Sequence, residues 1–132
     1  METMIKGKAF VAVDFDGTIT TEKDDKFGKY YLQPYCKETL LMLHDTGKVH
    51  LGLWTCRTGD QLDRAIDFLE EIGLIGVFET INGSFPEVDS LFGSPSGKKI
   101  SADFYLDDRA LGTEINWELF GKMILDSIDY DE

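Results

Sequence analysis

The chain alternates apolar runs with amphipathic stretches. Phe10 to Val13 is an unbroken apolar run, the pattern of a strand buried on both faces. A polar stretch follows over residues 19–33, with Glu22, Lys23, Asp24, Asp25 and Lys26 together. It reads as a loop or small hairpin whose apolar contacts are Phe27, Tyr30, Tyr31 and Leu32. Pro34 is suited to opening a helix, because its missing N–H would have no partner there. Leu40, Leu41 and Leu43 supply that helix with a buried side, and Gly47 stops it. Residues 49–55 read as a second apolar strand. Over residues 61–73, Leu62, Ile66, Leu69 and Ile72 keep helical spacing, with Asp63, Asp67, Glu70 and Glu71 on the wet face. Thr58 and Asp60 are the candidate caps.

Residues 75–81 read as a short third strand, ended by the turn signal Asn82-Gly83. Residues 84–97, with two prolines and repeated glycines, read as a loop with one helical turn near 88–92. Residues 102–106 form a fourth strand. Residues 114–128 form a last helix, with Asn116 as its candidate cap and Trp117, Phe120, Met123, Ile124 and Ile128 on its apolar side. Gly121 argues against that helix. Alternation of this kind predicts an α/β fold, a Rossmann-like, doubly wound parallel sheet in three layers.

The 132 residues suit one domain over 1–132, and a hydrophobic fraction of 42% supports a packed core rather than disorder. A net charge of −12 argues against a broad electrostatic grip on nucleic acid or anionic lipid. It leaves room for a local basic pocket that takes one phosphate. Cys36 and Cys56 fit no metal-ligand pattern, no export signal opens the chain, and no apolar run reaches membrane-spanning length. The expectation is a cytoplasmic protein with no membrane partner.

The strand ends carry the chemistry. Asp14 and Asp16 sit two apart at the end of the first strand and share a face. Gly17 then permits a sharp turn. The second strand ends in Thr55-Cys56-Arg57, and the fourth in Asp107-Asp108 after the pair Lys98-Lys99. In a parallel sheet these ends lie on one edge, where ligands bind. Two unit charges about 4 Å apart repel by about 4 kcal/mol at an effective dielectric of about 20, so four carboxylates there need a cation. All-oxygen ligation suits Mg²⁺ better than zinc. Two readings of Arg57 stay open: it reaches the substrate, or it pairs with an acid. His44, near a helix end, reads as a dipole contact or surface residue rather than a ligand. Asn82, at the third strand's end, reads as a turn residue, with a place in the pocket lining as the alternative.

This set resembles the haloacid dehalogenase superfamily of phosphohydrolases. Asp14-Phe15-Asp16-Gly17-Thr18 resembles its first motif, Leu53-Trp54-Thr55 its second, Lys98 or Lys99 its third, and Asp107-Asp108 its fourth. Where the family has Lys-x-x-Ala-Asp before its Asp-Asp strand, Lys99 fits the spacing. The resemblance implies Asp14 as nucleophile and metal ligand, and Asp16 as acid and base with its carbonyl on the metal. It implies Thr55 and the Cys56 N–H on the phosphoryl group, Lys99 neutralising charge, and Asp107 and Asp108 on Mg²⁺. Neither 19–33 nor 84–97 is long enough to fold as a lid, so the chain is similar to the capless subgroup. An open site implies a small phosphorylated metabolite, a nucleotide or the terminal phosphate of a larger molecule as substrate, and leaves cover by a second copy in a homo-oligomer open. The expected function is a Mg²⁺-dependent phosphomonoesterase working through an aspartyl-phosphate. A phosphotransferase on the same site and a non-catalytic module that binds metal or a phosphoprotein are the competing classes.

Overall fold

The computed structural model describes residues 3–21, 30–92, 101–109 and 114–131. Four strands pair in the order β3-β2-β1-β4, every pairing parallel. They are β1 (Ala9–Val13), β2 (Val49–Leu53), β3 (Phe78–Ile81) and β4 (Phe104–Leu106). Helices α1 (Cys36–Asp45), α2 (Gly59–Glu71), α3 (Pro86–Phe92) and α4 (Trp117–Asp131) cover both faces. The result is the expected Rossmann-like α/β layering, and the described residues contain no cap domain.

β1 is central and buried at all five positions. Its side chains alternate, so one strand feeds two cores. Ala9, Val11 and Val13 join Leu51, Leu53, Leu40, Leu43, Leu69, Trp117 and Ile124 in the larger one. Phe10 and Ala12 join Phe85 and Val88 in a smaller one on the opposite face. Helices α1, α2 and α4 therefore share one face, and α3 takes the other. Right-handed crossovers explain this split. The chain moves outward from β1 through β2 to β3, then returns past β1 to reach β4, so the β3-to-β4 crossover must use the opposite face.

Several boundaries differ from the sequence pattern, each for a local reason. Helix α1 starts at Cys36 and not at Pro34, because Tyr35 sits in the left-handed region with φ 63° and breaks helical continuity before it. Helix α2 starts at Gly59 after Thr58, whose backbone is extended and whose side chain makes no cap bond. It ends in paired bonds from Gly73 N–H to Glu70 and from Leu74 N–H to Leu69, with Gly73 at φ 78°. The chain leaves that stop as a 3₁₀ turn, Ile75–Val77, so β3 begins only at Phe78. The helical turn near residue 88 is a full helix from Pro86.

β4 is three residues long, and Asp103 just before it adds a side-chain link to β1. Its carboxylate accepts the Met4 and Phe10 N–H groups, both at 2.8 Å, and so staples β4 to the start of β1. Helix α4 begins at Trp117, capped by the Asn116 side chain on the Leu119 N–H at 3.1 Å. Gly121 is where α4 crosses α1. A Cβ there would lie 2.9 Å from Thr39 Cγ2, so the glycine that weakens the helical pattern permits the close crossing. Among the described residues no helix is long and apolar enough to cross a membrane.

Trp117 is 1% exposed and donates its indole N–H to the Thr18 carbonyl at 2.8 Å, tying α4 to the turn after β1. We expect Trp117→Phe to destabilise the fold by about 1–3 kcal/mol, since it leaves that carbonyl unpaired while keeping most of the apolar volume. Urea unfolding with an unchanged m-value checks it.

Candidate functional site

The site is built where β1 and β4 end side by side. Val13 pairs with Leu106, and the Asp14 N–H extends the ladder to the Leu106 carbonyl at 3.0 Å. The next residues on the two strands, Asp14 and Asp107, must therefore leave the sheet together. This is also the point where the strand order reverses, β2 and β3 lying to one side of β1 and β4 to the other, the usual crevice for ligands in open α/β folds. Asp14, Asp107 and Asp108 each offer a carboxylate oxygen, and the three oxygens lie within 4.8 Å of one another. A compact all-oxygen group of this kind fits a hard divalent cation.

The turn after β1 is shaped to receive Asp108. Gly17 has φ 76°, and a Cβ at that position would overlap the Asp108 carboxylate, 2.6 Å from its Cγ. Glycine is thus required twice, for its backbone angle and for the space. Thr18 is buried, and its hydroxyl accepts the Asp108 N–H at 3.0 Å. The Phe15 carbonyl accepts the Ile19 and Thr20 N–H groups, and the Gln33 amide donates to the Gly17 carbonyl at 3.0 Å. The Asp-x-Asp-Gly-Thr run is held from α4, from the end of β4 and from Gln33, which follows the Leu32 that forms an antiparallel bridge with Thr20.

Burial raises the Asp14 carboxyl from 3.8 to about 6, against the pull of the Phe15 N–H, with Asp107, Asp16 and Asp108 adding to the rise. The ionised carboxylate is therefore held at an electrostatic cost at neutral pH.

The second strand end supplies polar groups beside this cluster. The Trp54 N–H bonds the Val13 carbonyl at 2.9 Å, which brings the β2 end against the β1 end. The Thr55 N–H donates to the Asn82 side chain at 2.7 Å, and Asn82 takes φ 53° and returns its own N–H to Leu53 at 2.7 Å. Asn82, read from sequence as a turn residue, is the strut that fixes Thr55. The Thr55 hydroxyl accepts the Arg57 N–H at 3.2 Å, which leaves its proton to donate elsewhere. Cys56 is exposed and Cys36 is buried.

Arg57 takes the acid-pairing alternative. Its Nε and Nη2 donate to the two Asp16 oxygens at 2.8 and 2.7 Å, a bidentate pair. Asp16 therefore points at Arg57, and its side chain stands outside the three-carboxylate group. Lys98 and Lys99 lie outside the described residues.

Sequence reasoning missed Tyr30 and Asp103 as polar partners. Tyr30 was read as an apolar contact, yet its hydroxyl accepts from Arg57 at 3.0 Å. The separation of 27 residues leaves no local signal for that bond.

No family model and no curated protein matches the chain. Among solved structures it is similar to a conserved protein from Bacteroides thetaiotaomicron, with 33% identity over 90% of this chain and 91% of that one, and a TM-score of 0.68. The chain belongs to that protein's family. Coverage on both sides means the similarity spans nearly the whole of the layered fold.

Two outcomes follow from the geometry. Gly17→Ala should destabilise the protein by about 2–4 kcal/mol, combining a left-handed backbone with overlap on Asp108, measured by chemical denaturation. Asp14 has a folded value above its ordinary one, so its ionisation costs stability that is absent below about pH 4 and fully felt above about pH 6. In metal-free buffer Asp14→Asn should thus raise the melting temperature at pH 7.5. The stabilisation is about 1 kcal/mol once the group's partial exposure is allowed for. The gain should shrink toward zero near pH 4.

Proposed function

We propose that this protein is a Mg²⁺-dependent phosphomonoesterase that works through an aspartyl-phosphate. The observation that carries the reading is the convergence of Asp14, Asp107 and Asp108 oxygens within 4.8 Å at the sheet's switch point. Asp14, Asp107 and Asp108 would hold the cation. Mg²⁺ bound there would neutralise the acidic cluster and draw charge from a phosphoryl oxygen.

The chain's own residues do the rest. One Asp14 oxygen attacks phosphorus, and the bond from phosphorus to the ester oxygen breaks. Asp16, two residues on in the same turn, delivers a proton to that leaving oxygen. It then takes a proton from the water that attacks the aspartyl-phosphate, and phosphate leaves with Asp14 restored. Each cycle consumes one water. The Thr55 hydroxyl and the Cys56 N–H, at the neighbouring strand end, would donate to the phosphoryl oxygens. A raised Asp14 value is the expected cost of gathering acids that serve only when a cation joins them.

The substrate class that fits an uncapped edge is a phosphate monoester presented on a small metabolite, a nucleotide or a chain terminus. The test is phosphate release from aryl phosphates with Mg²⁺. Chelator should abolish turnover, readdition should restore it, and Asp14→Asn should lower it by at least about a thousandfold. Activity that survives in Asp14→Asn overturns the reading. Diversion of phosphate to an added alcohol would assign transfer instead of hydrolysis.

A further inference from the structure

The guanidinium of Arg57 sits in an unusually complete enclosure. Its side chain is 11% exposed, whereas the Asp16 side chain that it grips is 51% exposed. The Phe15 ring lies 5.0 Å from its central carbon and the Tyr30 ring 5.2 Å, so aromatic faces pack against it. Nη1 donates to the Tyr30 hydroxyl at 3.0 Å and to the Gln61 carbonyl of α2 at 3.1 Å. Nε and Nη2 donate to both Asp16 oxygens. The hydrogen bond to Asp16 pushes the Arg57 value further above its usual range, against the effect of burial.

These contacts come from three separate places in the chain: the turn after β1, Tyr30 ahead of α1 and the first turn of α2. A phosphate clamp needs N–H groups that face the ligand. Here the fork faces a side chain, and the planar group is wedged by rings that would have to part before it could turn. Arginine suits this arrangement as lysine does not, because a flat fork matches a carboxylate and stacks on rings at the same time.

We infer that Arg57 is a positioning residue for Asp16. It holds the Asp16 carboxyl at a fixed direction beside the nucleophile and acts on the reaction through Asp16, without binding the substrate phosphate. The inference deepens the phosphatase reading and rests on it. Placement matters here because a proton-transfer group displaced by about 1 Å can lose about a hundredfold in rate.

The experiment uses a series of aryl phosphates with progressively poorer leaving groups. It compares wild type, Arg57→Gln, Arg57→Lys, Asp16→Asn and the Arg57→Gln/Asp16→Asn double variant. A group that needs proton delivery suffers most when its acid is misplaced. We expect Arg57→Gln to lower kcat/KM, which reports transfer to Asp14, about thirtyfold for an unsubstituted phenyl ester and within about threefold for a nitrated one. The inhibition constant for inorganic phosphate should stay within about threefold. The double variant should be no slower than Asp16→Asn within about twofold, because the arginine has nothing left to position. Arg57→Lys, which keeps the charge and guards against loss of the fold, should still show the steepened leaving-group dependence.

A tenfold or larger rise in KM and in the phosphate inhibition constant, with kcat unchanged across the series, overturns the inference and makes Arg57 a substrate clamp. So does multiplication of the two single effects in the double variant. If Arg57→Gln fails to fold, Arg57→Lys decides alone by its leaving-group slope. Absence of turnover by the wild type overturns the phosphatase reading and this inference with it, a result distinct from every other.

Discussion

Parallel pairing of β1 with β4 is the constraint from which the rest follows. Val13 opposite Leu106 forces two aspartates, over ninety positions apart in sequence, out of the sheet at the same place. A third, Asp108, is drawn in by the Gly17 turn and the Thr18 hydroxyl. Like charges at such separations oppose folding by several kcal/mol unless something neutralises them. The large apolar core on one face of the sheet, from Val11 and Val13 to Trp117 and Ile124, supplies the stability that tolerates this concentration of charge.

The layers around the sheet are organised to make that edge rigid. Trp117 reaches from α4 to the Thr18 carbonyl, Gln33 reaches from the hairpin to Gly17, and Asn82 reaches from the β3 end to Thr55. Each contact satisfies a backbone group that the tight turns would otherwise leave unpaired. The same contacts fix side chains near the acidic group. Local hydrogen-bond bookkeeping and site geometry are here one requirement. Asp103 shows the same economy at the start of β4, where one carboxylate takes two amide groups.

The two acids of the first motif are separated by environment. Asp14 is half buried among other acids and carries a carboxyl raised to about 6. Asp16 is exposed yet held by a guanidinium on both oxygens. Neighbouring carboxyls placed in opposed surroundings can take different parts in one reaction. Arg57 is what separates them, and its own position depends on rings from Phe15 and Tyr30 and on α2.

Periodicity determined the layer class. An apolar run reads as a buried strand, and spacing of three and four reads as a helix, because both reflect side-chain directions set by the local backbone. The alternation of the two, with handed crossovers, was enough to predict a parallel sheet and therefore one edge for Asp14, Thr55 and Asp107. Motif spacing also singled out Gly17, since a turn directly after a strand favours it. What only the tertiary structure decided lies in pairs distant along the chain. The grip of Arg57 on Asp16, the strut from Asn82 to Thr55, the staple from Asp103 to β1 and the space over Gly121 all join separate elements. Sequence pattern reports which face a residue occupies, because that is fixed by its immediate neighbours. It does not report which partner waits across the gap, because that depends on how twisted layers meet once they are packed.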